Sequence, residues 1–517
     1  MPTGHEDGSS RRTYLLPNKR LGRMLVLGAV FVAALAARLY RIDNPAVDYQ
    51  PTRQYRSALI ARTYYYRSLE RIPPWEKEVA ESNLATEPRL EVPIMEYLTA
   101  LAYRVAGGEH FWIPRAFSSL CWVIGGVFVY AMAGRIASRD AALLATAFYL
   151  FLPFGVKVSR AFQRDVPMLM LMLIGLFLLV RYAERRSLVT LLIAAVVSSL
   201  AIFIKPICVP VLFGAYVALA IQRVPRFRAV FIVDFLIFWF IALVPTAVYT
   251  WYGMFVAEFL AAQAHRSFLP YLMKYPFFWH GWLKMLQATV SYPALSLALL
   301  GVALFRTSFS RALALGLWAG YVVFGLIFNF GIHTHSYYQL MLIPIVAISM
   351  TPVADIVLQW LRQPTRPAFL RAASWAVLIL AICLSLEPLL WLRADPKWAR
   401  MVEIRQEIAA AVDHSTKTII LDRAYGKVLK YHGKMCGDWW PSWGDIRQFQ
   451  LRGEPEMSTE ERLDEKIREH APEFFIVAAM GEFNRQKDLR ELLAQRYGTL
   501  RHTEDYIIYD MRTRIDL

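Results

Sequence analysis

The sequence predicts a polytopic α-helical membrane protein with a small extracytoplasmic α/β domain at its C-terminus. Three observations predict it. The 517 residues are 56% hydrophobic and 14% aromatic, with a mean hydropathy of +0.35, more apolar surface than a water-soluble core of this length uses. The apolar residues fall in runs of a length that crosses the hydrocarbon of a bilayer. Arginines cluster after alternate runs, and such clusters set membrane topology. The net charge of +16 is spent on those loops, so the sequence gives no support to a nucleic-acid-binding role. Four scattered cysteines show neither zinc spacing nor a disulfide framework.

About eleven spans follow from the ~20 apolar residues that a crossing needs. They cover 24–40, 113–134, 141–156, 166–183, 188–204, 207–222, 229–250, 289–305, 312–330, 338–358 and 373–392. The polar, basic tail 1–23 has no small-residue cleavage site after the first run, so that run is read as a retained span. Arg135 and Arg139 follow the second span, Arg181, Arg185 and Arg186 the fourth, and Arg223, Arg226 and Arg228 the sixth. The positive-inside rule then places the N-terminus in the cytoplasm and everything after an odd number of spans outside. The expected domains are the tail 1–23, a membrane domain 24–392 that includes the outer loop 41–112, and an extracytoplasmic domain 393–517. In the loop, Tyr55–Leu69 and Ile94–Val105 have the periodicity of interfacial helices. A second outer piece, 251–288, carries His265, Arg266, Lys274 and His280. In the C-terminal domain Thr418–Leu421, Phe474–Val477 and Tyr506–Tyr509 read as strands.

Ionisable residues at span ends need a reason, because a charge at the bilayer centre costs roughly 2.5–3.5 kcal/mol. Asp43 stands before Asn44-Pro45 and is explained as a turn former, whereas Asp48 has no such role. Arg160, Arg164 and Asp165 crowd a short outer hairpin, where Asp165 also serves to open a helix. Lys205 ends the fifth run on the outer side, against the positive-inside trend. His333, His335, Tyr337 and Tyr338 share the loop between spans nine and ten, with no cysteine or carboxylate nearby to complete a zinc set. Together with Glu87 and Glu91, these groups combine carboxylate bases with cations. That pairing suits displacement of an anionic leaving group by a hydroxyl nucleophile. No phosphate-binding Gly-rich loop or dinucleotide fingerprint is present.

On these residues the chain resembles the GT-C superfamily of membrane glycosyltransferases, in the branch of protein O-mannosyltransferases and bacterial lipid A aminoarabinose transferases. The resemblance covers roughly residues 24–350. It rests on Asp48 after span one, Glu91-Val-Pro-Ile-Met-Glu-Tyr-Leu-Thr-Ala-Leu-Ala-Tyr-Arg-Val-Ala-Gly107, Pro114-Arg-Ala-Phe-Ser, Arg160 to Asp165, Lys205 and His335-Ser-Tyr-Tyr338. It implies transfer of a sugar from a polyprenyl-phosphate donor, on the outer face of a bacterial inner membrane, with inversion at the anomeric carbon. It implies Asp48 as the base and Asp165 as the carboxylate opening the fourth span. It also implies Lys205 as the phosphate-binding lysine and Tyr337 and Tyr338 as the tyrosines of the late loop. Glu91-Val-Pro-Ile stands where many relatives carry Lys or His before Pro-Pro-Leu.

The expected site is therefore Asp48 and Asp165 for catalysis. Arg160, Arg164, Lys205, His333, His335, Tyr337 and Tyr338 are expected around the donor and its phosphate. Arg53, Gln54, Glu87 and Glu91 are expected at the acceptor or the sugar. The acceptor is a lipid, a glycan or a protein. No metal site is assigned; oxygen ligands suit Mg²⁺ or Mn²⁺, yet a lysine and two arginines already supply positive charge. The alternatives are a transporter or flippase of lipid-linked sugars, and a ligase or polymerase of preassembled glycans. A transporter is expected to show repeated halves or paired broken helices, and the sequence has no internal repeat.

Overall fold

A computed structural model describes residues 19–88, 91–222, 228–260, 268–361, 369, 372, 396–451 and 454–515. The eleventh predicted run and the residues His265 and Arg266 lie outside them. The chain divides into two compact units. One comprises 1–42, 89–92 and 115–393; the other comprises 43–88, 93–114 and 394–517. By packing, the outer loop thus groups with the C-terminal segment, although the sequence had placed it with the membrane helices.

The first unit is helical. Its predicted apolar runs coincide with helices wherever they fall on described residues, and the breaks have local causes. The third run is cut into Arg139–Phe151 and Pro153–Val158 because Pro153 lacks the N–H a continuous helix would bond. The eighth is the second arm of a pair, Pro276–Val290 and Tyr292–Leu304, bent by 91°. Among the described residues six helices are long and apolar enough to cross a membrane, or seven with the bent pair taken as one; Leu188–Ile204 and Pro206–Ile221 are apolar but shorter. Val209–Ile221 packs against Ser308–Ile327 through Gly214, Gly316 and Gly320. A Cβ at Gly316 would run into the Gly214 carbonyl, so only glycine lets these backbones approach so closely.

The second unit is built on a five-stranded sheet of order β2-β1-β3-β5-β4, where β1 is Thr418–Leu421, β2 Asp438–Trp439, β3 Phe474–Val477, β4 Tyr497–His502 and β5 Ile507–Arg514. β1 runs parallel to β2 and β3, and β5 antiparallel to β3 and β4. Ile419, Leu421, Phe475 and Val477 enter the core on one face, Ile420, Phe474 and Ile476 on the other, so β1 after Thr418 and the whole of β3 are apolar on both faces. The loop helices Pro51–Arg67, Pro74–Thr86 and Ile94–Ala106 belong to the same unit. The Pro74–Thr86 helix, not expected from sequence, is fastened to the domain at several points. Lys434 pairs with Glu76 at 2.8 Å, and Asn83 donates to the Met435 carbonyl at 3.0 Å. Lys427 donates to Glu87 at the helix end, with Arg56 3.5 Å from the same carboxylate.

A buried aromatic cluster completes the unit. The Arg62 guanidinium lies 4.0 Å from the Tyr431 ring centroid and pairs with Glu109 at 2.9 Å, while Tyr55 Oη is 2.9 Å from His432 Nε2. Burial, helped by Arg62 and Arg405, pulls the His432 pKa down to about 3. The folded imidazole thus resists protonation while the unfolded one accepts it below its ordinary 6.5, so stability is lost as pH falls from 6.5 toward 3. We expect His432→Gln to flatten that dependence by about 1.4 kcal/mol per pH unit in this window. Thermal melts of the full-length protein across pH test it; an unchanged slope would contradict the assignment.

Candidate active site at the ends of the membrane helices

Two helices bring the central pair together. Asp165–Arg185 leads away over about 30 Å at 1.5 Å per residue, turns at Arg186, and Leu188–Ile204 returns beside it. The start of the first helix and the end of the second therefore meet. Lys205 Nζ donates to Asp165 Oδ1 at 2.7 Å, with side-chain exposures of 4% and 2%. An ion pair so buried is held by its partner more than by water. Asp165 is the first helical residue, where a carboxylate also meets the positive end of the helix dipole.

Two tyrosines cover the lysine. The short 3₁₀ turn Ser336–Gln339 carries Tyr337 and Tyr338, whose ring centroids lie 5.4 and 5.6 Å from Lys205 Nζ, within cation–π range. Gly331 makes room for this turn, since a Cβ there would overlap the Tyr338 ring. His333 Nδ1 is 2.7 Å from the Asn329 carbonyl, and His335 Nδ1 is 2.6 Å from Thr334 Oγ1. The two imidazoles thus serve different local contacts, and no cluster of metal-ligating residues occurs among the described residues.

Arginines fix the segment that leads into Asp165. Arg164 donates to Glu91 at 2.6 Å. Arg160 donates to the carbonyls of Tyr40 at 2.6 Å and Arg41 at 3.1 Å. Arg115 bonds the carbonyls of Arg160 and Ile42, and Arg38 bonds Ser159 Oγ at 2.7 Å and the Leu150 carbonyl at 2.6 Å. Arg38 was not singled out from sequence, although an arginine inside the outer half of an apolar run is itself the signal. Gln163 is a second such residue. It is buried, and its side-chain amide makes no hydrogen bond among the described residues. A buried amide without partners costs about 1–3 kcal/mol.

The remaining predicted residues lie in the second unit. Asp48 is half-buried in the turn before Pro51–Arg67. Gln54 is fully buried, and its amide donates to the Tyr49 carbonyl at 2.5 Å and stands 3.5 Å from that of Ala46. It therefore holds the backbone on both sides of Asp48. Arg53 is half-buried one residue earlier. Glu87 is committed to Lys427 and Arg56 within its own unit.

Comparisons with known proteins agree with this architecture. Residues 87–252 match the family model of dolichyl-phosphate-mannose-protein mannosyltransferases. No characterised relative matches along the sequence. The structure is similar to that of ArnT from Cupriavidus metallidurans bound to undecaprenyl phosphate, at 13% identity and a TM-score of 0.56, over 95% of this chain and 98% of that one. It is also similar to the archaeal oligosaccharyltransferase AglB from Archaeoglobus fulgidus, solved with an inhibitory peptide and a dolichol-phosphate. There the identity is 11% and the TM-score 0.52, over 92% of this chain and 73% of that one. At such identities the likeness is one of fold. The chain thus shares its fold with these membrane enzymes and carries a mannosyltransferase family signature over residues 87–252.

The ion pair predicts its own test. Removing one partner of a buried pair leaves a lone charge and costs about 3–5 kcal/mol, whereas removing both costs less. We expect Asp165→Asn and Lys205→Met each to lower the melting temperature, and the double variant to recover part of the loss. Additive losses in a double-mutant cycle would show that the two side chains are not coupled.

Proposed function

We propose that the protein is an inverting glycosyltransferase that moves one sugar from a polyprenyl-phosphate donor to a hydroxyl or phosphate oxygen of a lipid, glycan or protein acceptor. The reaction takes place on the extracytoplasmic face of a bacterial inner membrane, the side that the arginine distribution assigns to Asp48 and Lys205. The observation that carries the reading is the buried Lys205–Asp165 pair beneath Tyr337 and Tyr338. A cation fixed at the end of apolar helices suits a ligand with an anionic head and a hydrocarbon tail. The proteins of similar fold solved with undecaprenyl phosphate and with a dolichol-phosphate support the same ligand chemistry.

The reaction balances as follows. Asp48 takes the proton of the acceptor hydroxyl; the acceptor oxygen attacks the anomeric carbon from the face opposite the phosphate. The bond between that carbon and the phosphate oxygen breaks, and the polyprenyl phosphate leaves with the electron pair. Lys205 and Arg164 stabilise the charge that develops on it. Asp165 acts as a positioning residue, since its oxygen is already committed to Lys205. Arg160 supports the same segment through main-chain carbonyls, and Gln163 offers an unused amide to the donor. Gln54 positions Asp48, with Arg53 beside it at the sugar or acceptor.

Transfer from a radiolabelled polyprenyl-phosphate sugar measures each role. Asp48→Asn is expected to lower kcat by about 10²–10⁴-fold, the usual worth of general-base catalysis, with folded protein retained. Gln54→Leu should lower kcat while leaving the donor KM nearly unchanged, because it disturbs the base and not the phosphate. Full activity in Asp48→Asn would remove it from the mechanism.

A further inference from the structure

The second unit contains a cavity of about 560 Å³ that the transfer reaction does not use. One wall is the start of the Pro74–Thr86 helix, with Trp75 and Glu78; the others are the loop Ala410–Lys417, the start of β3 at Glu473 and Phe474, and Arg512 on β5. It opens at the amino ends of the parallel strands β1 and β3. Nucleotides in open α/β sheets sit at the carboxyl ends, so the position does not match a nucleotide crevice.

Its lining has the character of a carbohydrate site. Trp75 is 40% exposed and stacks on His414 with centroids 4.3 Å apart and planes at 29°. His414 is itself held, since Nδ1 lies 2.8 Å from the Gly433 carbonyl; a carbonyl only accepts, so Nδ1 carries a proton. The result is a fixed aromatic platform at the cavity wall, suited to the C–H face of a pyranose ring. Around it three carboxylates, Glu78, Asp413 and Glu473, stand with two cations, Lys417 and Arg512. Glu78 and Asp413 are exposed carboxylates with no ion pair among the described residues, Glu473 lies 3.7 Å from Lys417, and the exposed Arg512 already donates to Asp510. A phosphate or nucleic acid would call for an excess of cations, and a cationic ligand for an excess of carboxylates. Hydroxyl groups both donate and accept, and they use such a mixed lining best.

We infer that this cavity binds a neutral saccharide, with Trp75 stacking on the sugar ring and Glu78 and Asp413 accepting from its hydroxyls. The site lies wholly within the second unit and stands apart from the transfer chemistry, whatever the acceptor of that reaction.

Saturation-transfer NMR on the full-length protein in phosphatidylcholine nanodiscs tests it, with maltotriose, mannotriose and chitotriose as probes. At least one trisaccharide should bind saturably, and Trp75→Ala should weaken it about tenfold, the scale of a lost aromatic contact. Glu78→Gln with Asp413→Asn changes only exposed side chains and should weaken the same binding severalfold while the melting temperature holds. The Asp48→Asn protein should bind as the unaltered chain does, so a failure of the catalytic reading leaves this result intact. Absence of saturable binding by all three probes overturns the inference. So does unchanged affinity in both variants, or saturation by an unglycosylated neutral peptide in place of the sugars.

Discussion

An ammonium and a carboxylate can share the apolar end of a helical hairpin only if each is the other's solvent. That constraint organises the first unit. Lys205 and Asp165 are almost wholly buried, so the 2.7 Å hydrogen bond between them stands in for hydration that each has lost. The same rule explains the arginines nearby. Arg164 has Glu91, while Arg38, Arg115 and Arg160 bond main-chain carbonyls that helix ends and turns leave exposed. Each bond joins segments distant in sequence, Arg38 to Ser159 and Arg115 to Ile42 among them. The cations that burial makes costly are therefore also what fixes the 159–165 segment against the end of the first helix.

How much of this was legible in the sequence differs by feature. Apolar runs announce helices because the bilayer imposes one length and one hydrogen-bonding solution, so the helical unit was readable. The strands Thr418–Leu421 and Phe474–Val477 were readable for a related reason, being buried on both faces. β4 was not, since five of its six residues are partly or fully exposed and no apolar run marks them, and β2 is only two residues long. The Pro74–Thr86 helix escaped notice because its ties to the domain, Glu76 to Lys434 and Glu87 to Lys427, span more than 300 residues. No local pattern encodes such a pairing. The same limit explains why Asp165 and Lys205 could be named separately, while their partnership depended on the return of a hairpin.

Arginines show the limit most clearly. Arg160 and Arg164 lie one helical turn apart in sequence, and both read as anion binders on the outer face. In the fold, one is bonded to carbonyls of the first helix end and the other to a carboxylate. Charge and spacing identify a cation; only the fold shows which carbonyls and carboxylates its donors meet.

The pairing also bears on how such a site handles an anion. Asp165 balances Lys205 and Glu91 balances Arg164, and low-dielectric surroundings favour such pairing. In the proposed reaction the donor already carries a phosphate charge, and a further negative charge develops as the sugar departs. The cations then respond to the change in charge without having to move into place, because the carboxylates and carbonyls hold them beforehand. That is the advantage of preorganisation: the reorganisation is settled during folding and does not recur at each turnover. The carboxylates exact a cost in ground-state affinity for the phosphate, and that cost assists release of the polyprenyl phosphate once transfer is complete.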